Sequence, residues 1–324
     1  MVIFLLHTRI FHRTRTFPVF CRWCLFALIA TFLAISKASA SEGSIAVLYP
    51  DVERPYLDVF QRIMDGVEAQ TDGVLFRYPV RGGQDVAKIS REIEQNHVKA
   101  VISLGRQGSN AAARLQTRLP IIAGGVLSPA GAPAGESVIS MSPDPALLFS
   151  WMKRIFPGLK RVFVAYDPRY GVWLINLAKK AAIDQGLELI SHESGDTRDA
   201  VVYYQDFFRS ADPRTDGLWL PDDPTTTDDG VVLPMVLQES WDMRIAVFSG
   251  SISHVRRGVL FALYPDNFSL GKRLSLLAQK SMTPETSRRA SVMPLRDVRS
   301  AINIRTASHL SIDTDQTFTT TFPQ

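Results

Sequence analysis

The segment 161–185, RVFVAYDPRYGVWLINLAKKAAIDQ, contains the alternation that decides the fold of this chain. It opens with a short apolar run, Arg161 to Tyr166, which holds β-branched residues and predicts a buried strand. From Tyr170 to Gln185 the apolar residues recur at helical spacing, so a helix follows the strand. A strand followed by such a helix is the repeating unit of a mostly parallel sheet covered by helices.

The same alternation extends from this segment in both directions. Further strands are predicted at 44–49, 74–78, 100–104, 120–123, 137–141, 187–192, 217–220, 245–249, 259–263 and 301–305. Helices are predicted at 56–67, 85–96, 109–118, 145–156, 199–208, 229–241 and 269–280. The rhythm is interrupted once, by the Gly-, Pro- and Ala-rich stretch 124–135. The sequence therefore predicts an α/β protein built as two doubly wound lobes.

The interruption at 124–135 is interpreted as the approach to a crossing between the lobes. The strand at 245–249 is expected to return the chain to the first lobe, and the polar piece 281–290 to form a surface crossing. The expected division assigns 41–140 plus 248–285 to the first lobe. It assigns 141–247 plus 286–324 to the second.

Residues 1–40 have the layout of a secretory signal peptide. A basic stretch without acidic residues precedes an apolar run from Leu25 to Ile35, and Ala38, Ser39 and Ala40 follow. We expect cleavage after Ala40 and a periplasmic location. An uncleaved N-terminal anchor is the alternative, but the apolar run is shorter than the roughly 20 residues that a membrane-spanning helix needs.

The export signal also decides how the charge and the cysteines are interpreted. The chain has a formal net charge of +4, but five of its 36 basic residues and none of its 32 acidic residues lie in 1–40. The remainder is nearly neutral, so a nucleic acid is not an expected partner. Both cysteines, Cys21 and Cys24, lie in the signal, which excludes disulfides, cysteine-bound metals and cysteine nucleophiles from the mature chain.

Signatures of catalysis are missing from the sequence. It contains no G-x-S-x-G, no H-E-x-x-H, no P-loop and no G-x-G-x-x-G motif. The histidines outside the signal, His97, His192, His254 and His309, lack the spacing of metal ligands. We therefore expect neither an enzyme nor a bound metal or cofactor.

Parallel α/β sheets bind ligands beyond the carboxyl ends of their strands, so the loops after the strands are the candidate site. In the first lobe these loops supply Tyr56, Gly105, Arg106, Gln107 and Ser109. A glycine-rich loop that opens a helix can hold an anion through its backbone amides, with Arg106 and Ser109 as side-chain donors. The alternative for Ser109 is that it caps the helix.

In the second lobe the corresponding loops supply Tyr166, Tyr170 and Asp222. Ser249 is a further candidate, at the end of the strand that is expected to return the chain to the first lobe. A tyrosine offers a flat apolar wall with a polar tip, and an aspartate in a closed cleft pairs with an ammonium or a hydroxyl group. Helix capping is the alternative role for the aspartates, and core packing is the alternative for Trp173.

Three stretches, 216–225 (DGLWLPDDPT), 244–249 (RIAVFS) and 255–263 (VRRGVLFAL), resemble the ABC-transporter substrate-binding protein family, whose characterised members include tryptophan-binding receptors. The segments 140–145, 156–162 and 302–307 also follow the order of that family. The resemblance implies a type I periplasmic binding protein fold. Such a fold has two Rossmann-like lobes with parallel sheets, joined by three crossings, and clamps its ligand in the cleft.

The resemblance also implies a function. We expect a periplasmic solute-binding receptor of an ABC importer, a monomer that closes around a small polar or amino-acid-like solute and docks on an inner-membrane permease. A periplasmic sensor module that signals to a membrane partner is the alternative. The loop 105–108 reads GRQG where amino-acid-binding members usually read like GTPA. This departure favours a more anionic ligand, or a site that has lost the transport ligand.

Overall fold

A computed structural model describes residues 43–82, 86–128, 136–282, 291–314 and 317–323. The export signal expected at 1–40 lies outside these ranges, as do 129–135 and 283–290, which hold most of the two expected crossings. In the described part of the chain no helix is both long and apolar enough to cross a membrane.

Strands and helices alternate through the described residues. The elements are β1 (Ile45–Pro50), α1 (Tyr56–Gln70), β2 (Leu75–Val80), α2 (Val86–Gln95), β3 (Ala100–Leu104), α3 (Gly105–Ala112), β4 (Ile121–Val126), β5 (Ser137–Pro143), α4 (Pro145–Ile155), β6 (Arg161–Tyr166), α5 (Pro168–Asp184), β7 (Glu188–Glu193), α6 (Thr197–Ser210), β8 (Asp216–Leu220), α7 (Val232–Met243), β9 (Ala246–Ser249), α8 (Ile252–Arg257), β10 (Phe261–Pro265), α9 (Asn267–Ser281), β11 (Val292–Leu295), β12 (Val298–Asn303), α10 (Ile304–His309) and β13 (Thr320–Phe322).

The strands form two sheets. The first has the order β11-β5-β4-β3-β1-β2 and is entirely parallel. The second has the order β13-β12-β10-β9-β8-β6-β7, and only the β10–β12 pair is antiparallel. We call the first sheet with its packed helices lobe I, and the second sheet with its helices lobe II.

Each sheet is covered on both faces, which explains why its central strands are apolar without alternation. In lobe I, α1 and α9 pack on one face and α2 and α3 on the other. In lobe II, α4 and α5 cover one face, and α6 and α7 cover the other. Among the described residues, both hydrophobic cores are formed within 45–322.

Helices α1 and α9 approach each other backbone to backbone. A Cβ atom on Gly66 would lie 2.0 Å from the carbonyl oxygen of Phe268, and one on Gly271 would lie 1.9 Å from that of Ile63. Only glycine fits at these two points. The contact fixes α9 on lobe I.

The chain passes between the sheets three times, at 143–145, 265–267 and 295–298. Backbone hydrogen bonds tie the crossings together, since the amide of Asp144 donates to Leu295 and that of Asp266 donates to Asp297, at 2.8 and 2.9 Å. Each crossing also carries an aspartate paired with an arginine: Asp144 with Arg296, Asp266 with Arg299, and Asp297 with Arg273. The three crossings together form the hinge between the lobes, and hydrogen bonds and ion pairs join them to their neighbours.

The sheet membership of three strands differs from the expected division. β9 and β10 lie in lobe II, although 248–285 was assigned to the first lobe, and β11 extends the sheet of lobe I, although 286–324 was assigned to the second. β9 pairs with β8, and Phe248 of β9 packs edge to face on Phe149 of α4. A fully buried strand is apolar in either sheet, so its pattern does not indicate which sheet it joins.

Candidate functional site

A cleft between the lobes lies beyond the carboxyl ends of β3, β4 and β5 on one side and of β6 and β8 on the other. Its first part, which we call the aromatic chamber, has a volume of about 510 Å³. Lobe I lines it with Arg106, Gly125, Val126, Leu127, Ser128 and Ser142. Lobe II lines it with Tyr166, Tyr170, Gly171, Trp173, Leu174, Ile175, Pro221, Asp222, Asp223 and Pro224. Four of the expected site residues, Arg106, Tyr166, Tyr170 and Asp222, therefore meet in one cavity.

A second part of the cleft, the hinge-side chamber, has a volume of about 550 Å³. It is lined by Val59, Arg62, Gly125, Leu127, Met141, Asp222, Gly250, Ser251, Ile252, Tyr264, Pro265, Asp266, Asn267 and Arg299. Gly125, Leu127 and Asp222 line both chambers, so the two adjoin at these residues.

Arg106 reaches the aromatic chamber because α3 begins directly after β3. Gly105 makes this junction with a positive φ of 64°, a left-handed conformation that other residues adopt only under strain. The Arg106 side chain is exposed, and it makes no ion pair or hydrogen bond with another described residue. Lobe I thus presents an unneutralised guanidinium to the cleft.

The other side-chain candidates of the first lobe, Ser109, Gln107 and Tyr56, do not line either chamber. Ser109 was expected to bind the ligand or to cap the helix, but the helix starts at Gly105 and leaves Ser109 in its second turn, fully buried. Its hydroxyl oxygen lies 3.5 Å from that of Ser103. Gln107 and Tyr56 have exposed side chains, Tyr56 to 72%, and neither is among the described lining residues.

Ser249 has a place in the turn from β9 to α8. It is fully buried, its hydroxyl lies 2.8 Å from Nδ1 of His254, and it accepts a hydrogen bond from the amide of Ser251 at 3.1 Å. Burial lowers the pKa of His254, because it disfavours the charged form of the ring. Ser249 therefore shapes the turn, while Gly250 and Ser251, the next two residues, line the hinge-side chamber.

Tyr166 ends β6 and forms part of the chamber wall. The residue is only 5% exposed, and its hydroxyl donates to Oε1 of Glu193 at 2.7 Å. Burial, together with this hydrogen bond and the charge of Glu193, raises the pKa of Tyr166 to about 12. Because the hydroxyl is already bonded, Tyr166 offers its ring rather than a donor to a ligand.

Tyr170 and Trp173 stand three residues apart on α5, a spacing that places them on the same helix face. Tyr170 is 43% exposed, and the hydroxyl of Ser128 in lobe I donates to its carbonyl oxygen at 3.0 Å, a direct bond between the lobes. Trp173 is half-buried: it packs against the lobe II core and also lines the aromatic chamber. Core packing, the alternative for Trp173, thus accounts for only part of its surroundings.

A buried network joins the loops that follow β6 and β8. Asp167 is fully buried, caps α5 through the amide of Arg169, pairs with the Arg169 guanidinium and accepts from the Thr225 hydroxyl at 2.8 Å. These hydrogen bonds, with that of Arg169 the largest effect, lower the pKa of Asp167 to about 2. Asp223 accepts from the amides of Asp167 and Thr225 at 2.7 and 2.9 Å. Helix capping, the alternative role for the loop aspartates, is therefore performed by Asp167, whereas Asp223 ties the two loops together.

Asp222, in the loop after β8, has no such role. It has no hydrogen bond or ion pair with a described residue, and its side chain is accessible from the cleft. The cleft walls reduce its hydration, which raises its pKa, and the charges of Asp229 and Asp223 add to the effect. An ammonium or hydroxyl group of a ligand could donate the hydrogen bond that this carboxylate does not receive from any described residue.

The hinge-side chamber was not anticipated from the sequence. Its wall in lobe II follows β9 and β10, which had been assigned to the first lobe, and Arg62 lies within α1 rather than in a loop. One signal was present, because Arg62 follows Val59 by three residues and so shares a helix face with it. Across the described residues, no group of three His, Cys, Asp or Glu side chains is placed to hold a metal ion.

Solved structures share this fold. A conserved domain protein from Vibrio cholerae O1 biovar El Tor aligns with 19% identity and a TM-score of 0.53, over 86% of this chain and 99% of that one. The ABC domain in complex with L-Trp from Streptococcus pneumoniae aligns with 18% identity and a TM-score of 0.54, over 86% and 99%. The ligand-free, open structure of CD0873, a substrate binding protein with adhesive properties from Clostridium difficile, aligns with 17% identity and a TM-score of 0.61, over 86% and 98%.

These likenesses establish the fold, which is that of a type I periplasmic binding protein, as the sequence resemblance implied. No curated protein matches the sequence significantly. The family model for the ABC transporter substrate binding protein matches residues 65–321. The family consists of solute-binding proteins rather than enzymes, which implies a small-molecule ligand and a membrane ABC permease as partner. This chain belongs to the ABC transporter substrate-binding protein family.

Proposed function

We propose that this chain is the periplasmic solute-binding receptor of an ABC importer, and that it closes around an amino-acid-like ligand in the aromatic chamber. One observation carries the proposal: Arg106 and Asp222 line the same cavity from different lobes, with opposite charges and without partners among the described residues.

A zwitterion complements this arrangement. A guanidinium binds a carboxylate through two parallel hydrogen bonds, and a carboxylate pairs with an ammonium group. The rings of Tyr166, Tyr170 and Trp173 supply the flat apolar walls that suit an apolar or aromatic side chain. A volume of about 510 Å³ lies within the range of roughly 300–1,000 Å³ that is usual for small-molecule sites.

The same two charges explain how binding would close the cleft. A ligand that touches Arg106 and Asp222 together makes both contacts only when the lobes come close, so it favours the closed state by its differential affinity. Closure also excludes water, which strengthens both ion pairs. In this mechanism the protein breaks and forms no covalent bond in its ligand.

The location completes the proposal. The basic stretch, apolar run and Ala-Ser-Ala motif of residues 1–40 support export and cleavage after Ala40, and the family supports a place outside the cytoplasm. The receptor would act there as a monomer that presents its closed lobes to the permease.

A thermal-shift screen of the protein from Ser41 onward, which keeps both hydrophobic cores, tests the proposal against amino acids, dicarboxylates and small heterocycles. A ligand at a hundredfold excess over its Kd stabilises the folded state by about 2.7 kcal/mol. Arg106→Gln and Asp222→Asn should each weaken binding about 10- to 100-fold, because each removes a charged hydrogen bond of about 1.5–3 kcal/mol.

Two control variants make the same changes of charge at exposed residues outside the chambers. Arg114→Gln, beyond the end of α3, and Asp184→Asn, at the end of α5, change exposed charges that do not line either chamber. Both should bind as the unmodified protein does. Full affinity in the Arg106 and Asp222 variants would show that the ligand binds elsewhere.

A further inference from the structure

The hinge-side chamber contains a second arginine that faces the cleft. The guanidinium of Arg62 lies 4.7 Å from the centre of the Phe268 ring, so a helix of the same lobe holds it in place. Its nearest carboxylate is that of Asp65, at 4.0 Å, and both side chains are more than half exposed. An exposed ion pair at this distance contributes little, so the charge of Arg62 is still available to a ligand.

The other charged residues that line this chamber are either paired with each other or shared with the aromatic chamber. Arg299 pairs with Asp266 at 3.2 Å, within the hinge. Asp222 is shared with the aromatic chamber. Along the cleft, two arginines thus flank one carboxylate: Arg106 lines only the aromatic chamber, Asp222 lines both, and Arg62 lines only the hinge-side chamber.

A free amino acid would use only part of this pattern. Its carboxylate, ammonium and side chain occupy the aromatic chamber, while the hinge-side chamber of about 550 Å³ would keep its water on closure. Arg62 would then face only water and its weak, exposed ion pair with Asp65, so its charge would contribute nothing to affinity. A ligand that fills both chambers would use this charge.

We propose that the ligand is an amino acid enlarged through its nitrogen by an arm that carries a second carboxylate, an N-carboxyalkyl amino acid that spans both chambers. This inference rests on the proposed function. The α-carboxylate binds Arg106, the secondary ammonium binds Asp222 where the chambers adjoin, and the arm extends along Ser251 to Arg62. The apolar side chain packs on the rings of the aromatic chamber.

Three probes separate the elements of this proposal by calorimetric titration of the protein from Ser41 onward. L-phenylalanine has no arm, N-ethyl-L-phenylalanine has a neutral arm, and N-(1-carboxyethyl)-L-phenylalanine has an acidic arm. We expect the acidic-arm probe to bind at least tenfold more tightly than the neutral-arm probe, because it gains one charged hydrogen-bonded pair.

Two variants test where the arm lies. Arg62→Gln should remove most of the tenfold preference without affecting L-phenylalanine, and Ser251→Phe, which fills the chamber, should weaken both armed probes. Arg91→Gln, an exposed arginine on α2, is the matched control and should keep the preference. The melting temperature of each unliganded variant shows that it folds.

The outcomes separate the two proposals. If L-phenylalanine binds but the acidic arm adds no affinity, or if the preference persists in Arg62→Gln, the elongated ligand is wrong and the amino-acid receptor still stands. If none of the three probes binds, the zwitterion site is wrong and the inference fails with it.

Discussion

The two walls of the aromatic chamber are built differently. The wall of lobe II is a buried network in which Tyr166 bonds to Glu193, and Asp167 and Asp223 lock two loops together. The wall of lobe I offers Arg106, an exposed guanidinium without a described partner. One wall has a fixed shape before the ligand arrives, whereas the other contributes a charge that only a ligand satisfies. Substitutions in the lobe II network should therefore cost stability, whereas substitution of Arg106 should cost affinity alone.

The largest effect is expected from Tyr166→Ala. Removing a buried aromatic ring leaves a cavity and should lower the free energy of unfolding by about 3–5 kcal/mol, measured by denaturant unfolding. Tyr166→Phe keeps the ring and should cost only about 0.5–1.5 kcal/mol, since it removes one hydrogen bond whose acceptor, the exposed Glu193, can bind water instead. Equal losses in the two variants would mean that the hydroxyl, and not the ring, supports this wall.

The second-largest effect on the free energy of unfolding is expected from Asp167→Asn. The pKa of Asp167 is lowered to about 2, so its contribution to stability is present above its unfolded value near 4 and is lost as the pH falls toward 2. Near pH 7 the variant should lose about 2 kcal/mol of unfolding free energy. Below pH 2 the difference from the unmodified protein should disappear.

The pH dependence provides the check on this network. Unfolding curves from pH 7 to pH 2 should slope less steeply between about pH 4 and pH 2 in the variant than in the unmodified protein. Asp184→Asn, which removes an exposed carboxylate from α5, should keep the normal slope. A variant that is less stable by the same amount at every pH would contradict a charged Asp167.

A smaller effect is expected from the hydrogen bond that joins the two walls, between Ser128 and Tyr170. Ser128→Ala removes the hydroxyl that donates to the Tyr170 carbonyl across the cleft, a bond worth about 0.5–1.5 kcal/mol. Without ligand, the lobes should separate more often, and small-angle scattering should report a larger radius of gyration. An unchanged radius would show that this bond does not hold the lobes together.

The smallest effect on stability is expected from Arg106→Gln. An exposed side chain without a described partner should change the unfolding free energy by no more than about 0.5 kcal/mol, although the same variant should bind the ligand poorly. A marked loss of stability in the unliganded variant would mean that lobe I also uses Arg106 structurally, and the contrast between the walls would disappear.

Features that depend on interactions between neighbours along the chain could be predicted from the sequence, whereas contacts between distant segments could not. The unit at 161–185 was predicted as strand, loop and helix, and the structure has β6 at Arg161–Tyr166 and α5 at Pro168–Asp184, because local periodicity and capping decide these elements. The rule for parallel sheets brought Arg106, Tyr166, Tyr170 and Asp222 to one cavity. The same rule included Ser109 and Ser249, which are buried, because sequence spacing does not show which side of a loop faces the cleft.

By itself, then, the sequence determined the α/β class, the order of most elements and several of the strand ends that line the cleft, since each depends on neighbours along the chain. The tertiary structure decided that β9 and β10 join lobe II, that Glu193 occupies the hydroxyl of Tyr166, and that Arg62 reaches the cleft from within a helix. These are contacts between distant segments. They depend on which buried surfaces pack together, and burial leaves the same apolar pattern in either sheet.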